Sequence, residues 1–321
     1  MNREVYKRCS SIIVGFSRLC AGAEAEFSSF GIANITQARL YKKARERMNL
    51  SLQFCSLSSS SEHGNSYLIR AEGTYLLIDY GVRLRRMEKF LDQLGVKPGS
   101  IEAIFITHEH RDHTQAMHIK YPLHTRYNIR RIVTSPRTLN KLGCKNEPPF
   151  CPLPPGREVN VSGISVRGLS KPHDAAQPLA FHLSTETASL AVVTDLGCMT
   201  PGLLSSLKGC NYYIFESNHD MKMEMKSGRP PTLIDRVLGD RGHLSNHQAA
   251  RALGQMVTEQ THEIMLAHLS LECNRPELAA RVVKSHLAQR SCWQGRVAVA
   301  PPDHVSPWRG LTENRQHSAG V

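Results

Sequence analysis

The stretch IFITHEHRDHTQ, residues 104–115, crowds three histidines and an aspartate into six positions directly behind a short, mostly β-branched apolar run. Such a run reads as a buried strand, so HEHRDH begins where the chain leaves the core. In the tight turn that follows, His108 and His110 lie two residues apart and can point to one side. Asp112 and His113 follow on the next bend and face a neighbouring point. Imidazole and carboxylate are the donors that hold divalent metals. Two imidazoles suit one ion, and a carboxylate with an imidazole suits a second.

A site for two ions needs more ligands, and other strand ends are the places to seek them. GLSKPHDA supplies His173, 60 residues after His113. LAVVTDLG supplies Asp195, 22 residues further on, and IMLAHLS supplies His268, 73 beyond that. Each follows an apolar, strand-like run. A carboxylate such as Asp195 can bridge two cations and offset their charge.

Around these positions the pattern alternates short strands with amphipathic helices. Strands are predicted at Leu50–Ser56, Ser66–Ala71, Thr74–Asp79, Ala103–Thr107, Arg131–Thr134, Glu158–Val161, Ile164–Leu169, Ala180–Ser184, Ser189–Thr194, Tyr212–Glu216 and Glu263–Ala267. These are runs rich in β-branched residues, bounded by Gly, Pro, Ser or Asn. Helices are predicted at Arg83–Leu94, His247–Thr258 and Pro276–Gln289. Ser245 with Gln248 forms a capping box for the second, and Asn274 caps the third. The hairpin-like run from 158 to 194 argues for antiparallel or mixed sheets over a doubly wound parallel one.

Composition excludes other classes. The chain has 321 residues and is 40% hydrophobic, enough for a core, and nowhere does it approach about 20 consecutive apolar residues, so no membrane span is expected. Nine scattered cysteines without a C-x-x-C pair argue against a disulfide framework and fit a reducing cytoplasm. The net charge of +12 favours a polyanionic partner, nucleic acid first. Residues 1–47 carry nine Lys/Arg against four Asp/Glu and lack globular patterning. Their CSSIIVGFSRLCAGAEA run is signal-like, but Arg18 interrupts it. The segment reads as an extension, poorly ordered or preceding a true start at Met48. Globular patterning spans 48–300, and Pro301–Val321 reads as a loose tail.

The order H-x-H-x-D-H, then distant His, Asp and His, resembles the metallo-β-lactamase superfamily over about residues 48–300. The resemblance implies a four-layer αβ/βα sandwich, two mixed β-sheets face to face with helices outside. It implies that His108, His110 and His173 hold one divalent ion and Asp112, His113 and His268 the other, with Asp195 bridging. Asp79, in LLIDYG, would stand behind the ligands and orient the metal-binding loop. FESNHD, RGHLSNHQAA, LAHLSLECNRPELA and the opening LQFCSLSSSSEHGNSYLIR are similar to the YycJ/WalJ group, described as metal-dependent nucleases acting from 5′ ends of DNA. The group's SGSxGN is written here SSSSEHGN, and Cys273 stands where an asparagine is usual. The 72 residues between Asp195 and His268 are too few for the nuclease domain that some relatives insert there.

Two cations roughly 3.5–4 Å apart lower the pKa of a bridging water, so that hydroxide can attack phosphorus in line. The implied activity is a phosphodiesterase on nucleic acid, DNA before RNA. The alternative is a carboxylic ester, lactone or thioester hydrolase on the same centre. Asp112 is essential in either case. His243 and His219 are the candidates to protonate the departing oxygen. Asn218, Asn246 and Ser245 are candidates to hold a phosphate, or else satisfy turns. The ligand set accepts Zn²⁺, Mn²⁺ or Fe²⁺.

Overall fold

Six strands lead into residues with imidazole or carboxylate side chains, and the fold brings those ends to one edge. The computed structural model describes residues 52–71, 73–117, 123–144, 149–289 and 293–310. The expected extension, 1–47, and the end of the expected tail, 311–321, lie outside the described residues.

The first sheet has six strands in the order β1-β2-β3-β4-β5-β6: Gln53–Ser60, Gly64–Ala71, Thr74–Ile78, Ile101–Phe105, Arg131–Thr134 and Phe150–Pro152. β1 to β3 pair antiparallel, and β3 to β6 pair parallel. The second sheet has seven, in the order β13-β12-β11-β10-β9-β8-β7. Its strands are β7 Glu158–Val161, β8 Ile164–Ser170, β9 Leu179–Ser184, β10 Ser189–Val193, β11 Tyr212–Glu216, β12 Glu263–Ala267 and β13 Arg296–Val299. β7 to β10 alternate, and β10 to β13 run parallel. Both sheets are therefore mixed.

The inner faces meet in one core. Phe54, Tyr67, Ile69, Ile78 and Phe105 from the first sheet pack on Val166, Phe181, Val192, Ile214 and Met265 from the second. Phe105 meets Phe181 edge-on at 5.5 Å between centroids, a preferred aromatic geometry. The outer face of the first sheet is covered by Met87, Phe90 and Leu91 of helix Leu84–Gln93. The outer face of the second is covered by helices Pro201–Leu207, Asn246–Met256 and Pro276–Leu287. The result is the four-layer αβ/βα sandwich that the sequence resemblance implies.

Some local expectations are corrected. β1 continues past Ser56 to Ser60, because its buried serine hydroxyls find partners, Ser59 with Tyr67 at 2.7 Å and Ser58 with the Pro302 carbonyl at 2.6 Å. The short edge strands β6 and β13 escape a reading based on periodicity. Asn274 does not cap helix Pro276–Leu287. Arg275 stands at that position without a side-chain cap. The capping box at Ser245 and Gln248 is present.

Residues 301–310 are not loose. They run along the free edge of β1, where Phe54 and Arg309 exchange backbone bonds of 3.0 and 2.8 Å and the Ser306 N–H reaches the Ser56 carbonyl. The guanidinium of Arg309 pairs with Glu263 at the start of β12. A strand edge is so covered, without any need for patterned side chains.

Candidate metal centre

The C-terminal ends of β3, β4, β8, β10, β11 and β12 lie on one edge of the sandwich. They deliver, in turn, Asp79; Thr107, His108 and His110; His173; Asp195; Glu216; and His268. The short helix Arg111–Thr114, directly after His110, adds Asp112 and His113. Asp79, Asp195 and His268 have φ of 61°, 53° and 54°. This left-handed region is costly for residues with a side chain and is held only by surrounding contacts. Here the Asp79 N–H donates to the Phe105 carbonyl at 2.8 Å, and the His268 N–H donates to Ser59 Oγ at 2.8 Å.

Donor atoms gather in adjoining groups, each within 4.8 Å: His108, His110 and His173 in one; Asp112, His113, Asp195 and His268 in the next. Asp195 lies between them. One of its oxygens is 3.1 Å from His113 Nε2; the other is 3.5 Å from His268 Nε2 and 3.8 Å from His173 Nε2. All seven ligands expected from the sequence are thus brought together.

The far side of each ring explains the arrangement. A carboxylate or carbonyl oxygen only accepts, so the facing imidazole nitrogen carries the proton. His113 Nδ1 donates to Asp79 at 2.7 Å, His268 Nδ1 to Glu216 at 2.9 Å, and His173 Nδ1 to the Gly242 carbonyl at 3.2 Å. His108 Nδ1 meets Thr107 Oγ1 at 2.9 Å, whose hydroxyl in turn bonds Asp79. Every one of these rings therefore turns Nε2 toward the centre. Nε2 of His108 and of His268 are buried and have no hydrogen-bond partner among the described residues. Unpaired buried acceptors are costly. A divalent cation is the partner that such a set of nitrogens and carboxylates fits.

The electrostatics agree. Burial opposes the protonated form of His113, but Asp195, Asp112 and Asp79 hold its pKa well above the ordinary value. Burial likewise opposes protonation of His268, which Asp195 and its bonds to Asp112 and Glu216 push up to about 10. Despite its burial, Asp195 is kept well below the usual carboxylate range by His113 and His268. His108, buried and beside His113, is held well below the ordinary histidine value. The carboxylates thus draw positive charge toward this edge of the sandwich.

A third group, Asp195, Glu216, His243 and His268, shares Asp195 and His268 with the second. Glu216 is fully committed: it accepts from the N–H groups of Asp195, Leu196 and Leu244 at 3.1, 2.8 and 3.0 Å, and from His243 and His268 at 2.9 Å each. It is a brace for two rings, with no lone pair left over for an ion. Sequence reasoning missed Glu216. The available signal was a carboxylate ending the apolar run YYIF. Asn65, which donates to Asp112 at 3.1 Å, was missed as well.

His243 is brought to the rim, its side chain 13% exposed and its ring 5.1 Å from that of His268. His219 belongs to none of the donor groups and is wholly buried. The substrate-binding expectation for Asn218, Asn246 and Ser245 is corrected. All are buried, and Asn218 Nδ2 holds the His268 carbonyl at 2.8 Å. Asn246 is bound to Ser217 at 2.6 Å and to Asn274 at 2.9 Å, and Ser245 is spent on its capping box. Their polar groups brace the loops behind the ligands.

The sequence matches the family model of the β-lactamase superfamily domain over residues 74–268. It is 31% identical over 245 residues to exodeoxyribonuclease YycJ of Bacillus anthracis, across 75% of this chain and 91% of that protein. It is 28% identical over 266 residues to exodeoxyribonuclease WalJ of Streptococcus pneumoniae, across 80% of this chain and 97% of that one. Among solved structures, the metallo-β-lactamase fold protein YhfI of Bacillus subtilis is similar with a TM-score of 0.60 at 15% identity, over 80% of this chain and 99% of its own.

Proposed function

The chain belongs to the β-lactamase superfamily, and from that premise we propose that it is a dimetal phosphodiesterase that degrades DNA from 5′ ends. That it is a metal-dependent hydrolase follows from the family and from the gathered donor set. The observation that carries the finer reading is the similarity to an exodeoxyribonuclease over 91% of that protein's length.

In this reading His108, His110 and His173 hold one divalent ion and Asp112, His113 and His268 hold the other, with Asp195 shared. Bound ions would supply a water of lowered pKa and neutralise charge on the phosphoryl oxygens. The residues supply the rest. Asp79, Glu216 and the Gly242 carbonyl fix the rings so that the ligand nitrogens are aligned before an ion arrives. His243 has Nδ1 engaged by Glu216, which leaves Nε2, at the rim, to hand a proton to the departing oxygen. Exposed Arg83, Arg85, Arg130, Arg131, Lys222 and Lys226 are available to a phosphate backbone, whereas Arg229 is taken by Glu224 and Glu272. No helix among the described residues is long and apolar enough to cross a membrane. A cytoplasmic site of action, and a catalytic unit starting near Met48, are part of the proposal.

The test is a substrate panel on protein loaded with Mn²⁺ or Zn²⁺. Degradation of 5′-phosphorylated linear DNA is expected, abolished by Asp112→Ala with the fold intact. A chain begun at Met48 should retain it. Rapid turnover of lactones or thioesters with no attack on any nucleic acid would overturn the reading.

A further inference from the structure

Two large apolar side chains stand out on the described surface. Met225 is 65% exposed and Leu271 37%, and among the described residues no other large apolar side chain is exposed. Both stand on the metal edge. Met225 ends the short helix Met221–Met225 in the connection after β11, and Leu271 follows His268 by three residues in the connection after β12. β11 and β12 are parallel neighbours, so the two connections emerge side by side. They are joined along their length. The Ser270 N–H donates to the Asn218 carbonyl at 2.8 Å, the Asp220 N–H to the Cys273 carbonyl at 2.8 Å, and Arg229 pairs with Glu272 at 2.7 Å.

The surroundings are cationic. Lys222, Met225 and Lys226 share one face of their helix at i, i+3 and i+4, and both lysines are exposed. Exposed Arg275 donates to the Leu271 carbonyl at 3.3 Å. The one carboxylate in the same turn, Glu272, is taken up by Arg229. Apolar side chains set among cations fit a partner that joins an apolar face to negative charge, and a nucleotide with its base unstacked is such a partner. The ligands make the same demand. His108, His113, His173, Asp195 and His268 are at most 2% exposed, so a scissile phosphate has to descend to them. A strand held in a duplex by stacking and pairing is not free to do so, whereas one whose end has left the stack is.

We propose that Met225 and Leu271 form an apolar wedge that parts the terminal base pair of a DNA end. The unstacked base lies against them, Lys222, Lys226 and Arg275 hold its backbone, and the freed 5′ strand runs down to the metal centre. Apolar side chains inserted between base steps unstack them in this way. The proposal rests on the reading of this chain as a DNA exonuclease and adds to it a means of opening paired ends. A thioether and an alkyl group carry no acid, base or charge for the reaction, so the two residues set specificity only. Their effect has a distinctive pattern. A patch that merely holds DNA would serve every end alike, whereas a wedge matters only where there is a pair to part. Losing the burial of one large apolar side chain costs roughly tenfold in an equilibrium.

The experiment compares metal-loaded wild type with M225S, L271S, the double variant M225S/L271S and the conservative pair M225L/L271M. Cleavage rates are measured on 5′-phosphorylated duplex DNA with a fully paired end, on the same duplex with its last pairs mismatched, and on the single strand. Fluorescence of 2-aminopurine at the terminal position, read in an Asp112→Ala background, reports unstacking without cleavage. Each serine variant should lose roughly tenfold on the paired end and less than about twofold on the other two substrates. The double variant should also lose the fluorescence rise, and the conservative pair should keep both properties. Both side chains are exposed, so every variant should hold the wild-type Tm. Equal losses on all three substrates, or none on any, would overturn the wedge and leave the nuclease reading standing. A wild-type chain that attacks no DNA would remove both.

Discussion

Glu216→Gln changes a single atom at the point where five donors converge. Oε1 faces Asp195 N–H, His243 and His268, and Oε2 faces the N–H groups of Leu196 and Leu244. An amide accepts on one side only. In its better orientation the oxygen keeps the first set, and the NH₂ group is turned against two backbone donors. Two buried N–H groups then lose their acceptor, at about 1–3 kcal/mol each. A total of about 2–6 kcal/mol is a large share of the roughly 5–15 kcal/mol that holds a typical domain folded. The negative charge behind His268 and His243 is lost as well, and removing such an outer partner costs roughly 10–100-fold in metal affinity. Urea unfolding of the stripped protein reads the first effect, and chelator competition on the loaded protein reads the second. A stability loss under about 1 kcal/mol together with wild-type metal affinity would refute the reasoning, because both follow from the same five bonds.

Gly81→Ala should displace the Asp112–His113 turn, since a Cβ there would lie 1.7 Å from the Asp112 carbonyl oxygen and 2.5 Å from its carbon, both backbone atoms that cannot swing aside. Less than two metal equivalents by elemental analysis is the expected result, and a full complement would count against it. Phe105→Ala removes a wholly buried ring between the sheets and should cost about 3–5 kcal/mol in chemical denaturation; a cost below about 1 kcal/mol would mean that the sheets do not depend on this contact. For the stripped protein, His268 has its folded pKa raised from 6.5 to about 10. Its contribution is therefore fully present below pH 6.5 and lost as pH rises toward 10, so Tm should fall over that window. Metal uptake should release protons and weaken on acidification, because the ligand nitrogens must be bare. Calorimetry in buffers of different ionisation enthalpy checks this, and uptake without proton release would contradict it.

The seven residues whose donor atoms gather at this edge were legible because their signal is local. His108, His110, Asp112 and His113 sit within six residues, and His173, Asp195 and His268 each follow an apolar run that must end at the edge of a buried strand. The sheet class was legible for a similar reason, from short β-branched runs in succession. The tail at 301–310 was not, because its backbone bonds to β1 require no side-chain pattern.

From neighbours in the chain alone, then, came the strand ends and the imidazole and carboxylate residues that follow them, since alternation and spacing are properties of neighbours. Only the tertiary structure decided what stands behind them. Glu216 serves residues 195, 196, 243, 244 and 268, Asn246 closes on Asn274, and Lys171 reaches Thr194. The partners of a buried polar group come from distant segments, so whether an asparagine or a glutamate meets substrate or braces a loop is fixed by packing and not by spacing.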